Sequence, residues 1–320
     1  MPKALEYAFE MASSAVRFGR GVTKEIGHDF KNLGVKKVFL VTDKNLAKLP
    51  PVAKAVQALE SAGINYKIYD ETRCEPTDTS FLHCIEACKE YSPDAILAVG
   101  GGSPMDTAKA ANLYTCYPEA DLLDFVNAPI GKAKPITKKL LPLIAVTTTA
   151  GTGSEVTGMT IFDYTPLKAK TGIGSRMLKP TIGIVDPDHL LHAPQPVRAF
   201  TGFDVLCHSI ESYTALDYSK RPLPDNPLAR PTYQGTNPFS DVWSLHALKV
   251  CHENFGPAVQ DNDPDAQANM HLASAMAGVG FGNAGVHLCH GLSYPISGMM
   301  KFGNRKFSPE GSYVSFFKIT

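Results

Sequence analysis

In the run GFDVLCHSIESY, Asp204 and His208 stand four residues apart, and His287 and His290 follow in the run GFGNAGVHLCHGLSYP. Residues at i and i+4 share one face of a helix, so a carboxylate oxygen and an imidazole nitrogen can converge there on one cation. Mixed oxygen and nitrogen sets suit borderline divalent metals such as iron and zinc. The plainer alternative makes Asp204 a helix N-cap residue and the histidines satisfied core or surface side chains. Spacing alone does not choose between them, so the elements that carry these residues matter.

The first half of the chain alternates two periodicities. Short runs rich in valine and isoleucine at 38–41, 66–69, 95–99, 143–146 and 182–185 read as strands. Between them, PVAKAVQALESAG and TSFLHCIEACKEY carry apolar residues at helical spacing, the first stopping at Gly63 and the second before Pro93. Strands linked by crossover helices predict a mostly parallel sheet covered on both faces, with ligands beyond the carboxyl ends of its strands. From about residue 195 the pattern is helical without strands, interrupted by the Pro- and Asn-rich loop SKRPLPDNPLARPTYQGTNPFS.

The polar and glycine-rich residues sit at those strand ends. AILAV runs into GGGSPMDTAKAAN, where Gly100, Gly101 and Gly102 allow a tight turn, Ser103 is placed to cap the next helix and Pro104 suits its first turn. Amides at a helix start, with the positive end of its dipole, favour a phosphate, although such a turn also serves plain chain geometry. Asp43 follows the first of these strands, as a ribose acceptor or as a cap for the segment after it. Thr148, Thr149 and Thr152 offer hydroxyls on a third turn. Together the three turns predict one dinucleotide cleft.

Composition narrows the partners. The 320 residues carry 31 basic and 31 acidic side chains, scattered without a basic block, which argues against nucleic acid or an anionic membrane surface. No apolar run approaches the roughly twenty residues of a membrane span. The seven cysteines show no CxxC pairing, so a reducing compartment is expected. The opening residues, with Glu6 and Glu10, do not read as a secretory or transit peptide.

Taken together, GGGSPMDTAKAAN, TTTAGTGSEVTG, GFDVLCHSIESY and GFGNAGVHLCHGLSYPISG resemble the signature blocks of the iron-containing (group III) alcohol dehydrogenases, over residues 7 to 299. The resemblance implies an α/β dinucleotide-binding domain over 1–194 and an all-α, metal-binding domain over 195–320, a dehydroquinate synthase-like arrangement. It places Asp43 at the adenosine ribose, Gly100, Gly101, Gly102 and Ser103 at the pyrophosphate, and Thr148, Thr149, Thr152 and Lys170 along the rest of NAD(H). It makes Asp204, His208 and His290 ligands of a divalent metal, iron above all, and leaves His287 structural.

The activity so implied is hydride transfer between small hydroxy acids and oxo acids, 4-hydroxybutyrate and 2-oxoglutarate giving succinate semialdehyde and 2-hydroxyglutarate, in the mitochondrion. An ordinary NAD-dependent iron alcohol dehydrogenase and a catalytically dead truncated isoform are the alternatives. A homo-oligomer is left open. Arg198, Arg221 and Arg230 are candidate clamps for the substrate carboxylates, because a planar guanidinium matches a carboxylate, and each reads equally well as a surface residue.

Two departures from the family pattern stand out. Thr147 occupies the usual place of a proline, and beyond Gly298 no match follows to the Pro-His-Gly that supplies a last histidine ligand. With residues 300–320 atypical, an incomplete helical domain and a three-ligand site are expected.

Overall fold

Five of the apolar runs form strands as their composition requires, and three further strands complete the set: β1 (Ala15–Phe18), β2 (Lys37–Val41), β3 (Asn65–Tyr69), β4 (Ala95–Gly100), β5 (Leu143–Thr147), β6 (Met159–Tyr164), β7 (Ala169–Gly174) and β8 (Ile182–Val185). The computed structural model describes residues 4–191 and 193–302, so the expectation for the atypical end lies, beyond Phe302, outside the described residues. Six strands make one sheet in the order β1-β8-β5-β4-β2-β3, with every pairing parallel. β6 and β7 form a separate antiparallel hairpin.

Parallel strands need crossovers, and α1 (Ile26–Asn32), α2 (Pro50–Ser61), α3 (Asp78–Tyr91) and α4 (Gly102–Cys116) supply them. Proline opens α2, and Gly63, at φ +67°, follows its end. Thr77 caps α3 through a reciprocal bond pair with Ser80. The period of two along the strands then sorts the core. Val38, Leu40, Leu97 and Val99 face α1 and α2 through Phe30, Val52 and Leu59. Phe39, Val41, Ile96 and Ala98 face the other way, onto Cys84 and Cys88 of α3 and Met105 and Ala108 of α4.

After Val185 the described chain contains no further strand. Four α-helices follow: α5 (Gln195–Tyr213), α6 (Pro238–Gly256), α7 (Pro264–Ala284) and α8 (Leu288–Phe302). Val205, Ala247, Cys251, Met270 and Ala277 share one core with Ala150 and Leu190 from the α/β part. No described helix is long and apolar enough to cross a membrane.

Small residues bring the two parts into contact. A Cβ built on Gly153 would lie 2.7 Å from Gly278 Cα, and Gly153 also sits at φ +58°, so a side chain there is excluded twice over. Gly151 meets Thr201 of α5 in the same way, at 2.6 Å. These approaches seat the turn after β5 directly against α5 and α7. The proline-rich loop between α5 and α6 packs back on the N-terminal segment: Arg230 pairs with Glu6 at 3.0 Å, Gln234 Nε2 donates to the Glu10 carbonyl, and Phe9 stacks edgewise on Tyr218.

Candidate active site

Three strand ends, the β6–β7 hairpin and helices of the C-terminal part meet in a continuous cleft. One part, of about 540 Å³, is lined by Asp43, Gly101, Ser103, Thr148 and Thr149. A second, of about 250 Å³, is lined by Gly102, Thr152, Lys170, Asp204, His208 and His290. Cys74, Gly101, Ser103 and Thr149 border both. The parallel sheet explains the convergence, because β2, β4 and β5 all end on the same edge.

The glycine turn and the threonine turn fit together only because the glycines lack side chains. A Cβ on Gly101 would sit 3.1 Å from Thr149 Cγ2, and one on Gly102 would sit 3.0 Å from Thr152 Cγ2. No side chain caps α4, which leaves its first amides for an anion in the cleft. The expected Ser103 cap is therefore corrected: Gly101 is the N-cap, two residues earlier, and Ser103 Oγ accepts the Glu75 N–H at 3.1 Å instead. Gly100 ends β4 and lines neither part of the cleft; its carbonyl accepts the Thr148 N–H. Thr147, in place of a proline, donates its hydroxyl to the Thr149 carbonyl at 2.9 Å and so braces the threonine turn.

Asp43 takes the capping role and also borders the cleft. Its Oδ1 accepts the N–H groups of Asn45 at 2.9 Å and Leu46 at 3.0 Å, fixing the turn after β2, while the residue lines the larger part of the cleft. Lys170, on β7, forms a buried ion pair with Asp163 of β6, Nζ to Oδ1 at 3.1 Å. The hairpin, which no periodicity announced, is what brings that lysine to the smaller pocket.

At the far side of the smaller pocket, Asp204, His208 and His290 offer ligand atoms within 4.8 Å of one another, the only such group among the described residues. Asp204 and His208 come from one face of α5, and His290 from the first turn of α8. Asp204 Oδ1 is the hub, 3.6 Å from His208 Nε2 and 3.5 Å from His290 Nε2. His208 stacks flat on Phe281, centroids 3.8 Å apart, and its Nδ1 lies 3.2 Å from the Gly151 carbonyl. A carbonyl only accepts, so Nδ1 carries the proton and the Nε2 lone pair is turned towards Asp204.

Electrostatics agree with that assignment. Burial lowers the His208 pKa to about 4, against the pull of Asp204, which keeps the ring neutral near pH 7. Burial works the same way on His290 but is outweighed by its bonds to Asp204 and Glu211, which raise it to about 9. For Asp204, burial pushes the carboxyl up, but its bond to the charged His290 imidazole helps to hold it below the ordinary range. A divalent cation would displace the His290 proton and take its place between the carboxylate and the rings. One carboxylate and two imidazoles with available Nε2 atoms fit such an ion.

His287 is not brought into this set. Its Nε2 bonds the Thr214 hydroxyl at 2.9 Å, and its side chain is 37% exposed. The three arginine candidates are corrected as well, since none lines the pocket that holds the triad. Arg198 donates to the Val259 carbonyl, Arg221 to the Tyr233 carbonyl, and Arg230 is held by Glu6. Sequence reasoning passed over Glu211, seven residues after Asp204 on the same helix face. Its buried carboxylate contacts His290 directly.

Comparison with known proteins gives this geometry a context. Residues 13–187 match the model of a family described as iron-containing alcohol dehydrogenase, and residues 232–303 match that of its C-terminal part. The chain is 60% identical over 301 residues to a Bos taurus protein named hydroxyacid-oxoacid transhydrogenase, mitochondrial, covering 93% of this chain and 65% of that protein. It thus spans less than two thirds of that relative's length. Among solved structures, an archaeal halo-thermophilic alcohol dehydrogenase from a Red Sea brine pool superposes with a TM-score of 0.81 at 32% identity, over 97% of this chain and 72% of that one. Sulfoacetaldehyde reductase from Bifidobacterium kashiwanohense, solved in complex with NAD+, superposes with a TM-score of 0.77 at 27% identity, over 92% and 72% of the two chains.

Proposed function

Because the chain belongs to the iron-containing alcohol dehydrogenase family, we propose that it transfers hydride between small hydroxy acids and oxo acids through bound NAD(H), at a divalent-metal site formed by Asp204, His208 and His290. The observation that carries this reading is the convergence of those three side chains on a pocket continuous with the glycine and threonine turns. Residues 1–194 would bind the dinucleotide and the helices after them the metal. The relative's name supports a hydroxy acid and an oxo acid as the substrate pair, and mitochondrial residence; 4-hydroxybutyrate and 2-oxoglutarate are the members of those classes that the reading takes up.

Each part of the cleft then has a task. The uncapped start of α4 receives the pyrophosphate, Asp43 accepts from the adenosine ribose diol, and Thr148, Thr149, Thr152 and Lys170 hold the remainder of the cofactor. Asp204, His208 and His290 would hold the iron, which when bound supplies a Lewis acid that lowers the pKa of a substrate hydroxyl and stabilises the charge developing on its oxygen. Met159, Ile161, Phe281 and Val286 line the pocket with apolar surface that limits water.

Turnover tests the reading. Iron-loaded protein supplied with 4-hydroxybutyrate is expected to form succinate semialdehyde only when 2-oxoglutarate is added, because the reduced cofactor is reoxidised in place. The second reading, an alcohol dehydrogenase using exchangeable NAD, draws support from the archaeal structural relative. Oxidation of simple aliphatic alcohols with free NAD, without response to 2-oxoglutarate, would select it.

A further inference from the structure

Two of the triad residues arrive on one helix, but His290 comes from another and has to be held in place. Its placement runs through a single carboxylate on α5. Glu211 is 1% exposed, and its Oε1 accepts the backbone N–H groups of His287 at 2.7 Å, Cys289 at 2.9 Å and His290 at 3.4 Å. These are the otherwise unpaired amides at the start of α8, so Glu211 ties that helix end to α5. Its Oε2 bonds His290 Nδ1.

The second bond has a chemical consequence. A carboxylate only accepts when ionised, so it keeps the proton on Nδ1 of a neutral His290 and leaves the Nε2 lone pair for the metal side, where Nε2 lies 3.5 Å from Asp204. Asp204, His208 and Glu211 follow at i, i+4 and i+7, so one face of α5 provides two ligands and the group that orients the third.

We propose that Glu211 is a positioning residue for metal binding: it fixes both the backbone and the tautomer of His290. The inference rests on the metal reading above. Glu211→Gln separates the two jobs, because the amide oxygen can still accept the three backbone N–H groups. Its NH2 then faces His290 Nδ1, which favours the tautomer protonated on Nε2 and removes the lone pair from the site.

The test is a Co2+ titration of the purified chain, followed by the visible absorption of the bound ion, for the wild type, Glu211→Gln, His290→Ala and the double variant. Glu211→Gln is expected to weaken Co2+ binding by roughly ten- to a hundredfold and to alter the band shape, with the melting transition of the metal-free protein retained. In the His290→Ala background the same change is expected to alter affinity by no more than about twofold, since its target is gone. Affinity in Glu211→Gln within about twofold of wild type, or an equal loss with and without His290, would overturn the positioning role while leaving the metal reading intact. Absence of Co2+ binding by the wild type would overturn the metal reading and the positioning role with it.

Discussion

Asp204→Ala is expected to reduce divalent-metal affinity by at least about a hundredfold, a larger effect than that of the orienting partner. Both imidazoles aim Nε2 at its Oδ1, so the carboxylate is the point at which the two helices' contributions meet. It is also the triad's one formal negative charge, and its loss leaves a dication among two neutral rings in a half-buried pocket. The substitution removes little packing, so folding is expected to persist. Equilibrium dialysis with elemental analysis checks this, with near-normal metal content in the variant as the result that removes Asp204 from the site.

Gly102→Val is expected to weaken NADH binding by roughly five- to a hundredfold. Even a single Cβ at Gly102 would stand 3.0 Å from Thr152 Cγ2, and the branched side chain has to push the glycine turn away from the threonine turn. Overpacking of this kind costs about 1–3 kcal/mol, and each 1.4 kcal/mol or so is a factor of ten in affinity. The strain falls on the two turns that the dinucleotide must bridge, while the sheet core behind them is untouched. Fluorescence titration of NADH measures it. Wild-type affinity in the variant would show that the glycine turn is packing geometry and not a phosphate cradle.

The sequence made the inner sheet legible because β2, β4 and β5 hide nearly every side chain, so their apolar runs are uninterrupted. β1 escaped notice as an edge strand, mostly exposed and carrying Arg17. The β6–β7 hairpin escaped for a different reason: AKTGIG has the glycines of a loop, and only pairing with MTIFDY makes it a strand. Lys170 could therefore be placed by resemblance and not by periodicity. Glu211 lay inside a run already singled out, yet a glutamate on a helix reads as a solvated charge until α8 covers it. The arginines failed in the opposite sense. Arg230 looks free in its loop, but its partner Glu6 lies 224 residues away in sequence, beyond the reach of any local pattern.

On the proposed reading, the metal triad and the dinucleotide cleft form one site, with the nicotinamide end of the cofactor beside Asp204, His208 and His290. Proton relaxation of bound NAD+ in the presence of Mn2+ tests this most directly, because the paramagnetic ion takes carboxylate ligands such as Asp204 and broadens only nearby protons. Strong broadening of the nicotinamide protons, weak broadening of the adenine protons and loss of both effects in Asp204→Ala are predicted. Equal broadening at the two ends, or broadening that survives Asp204→Ala, would contradict the account.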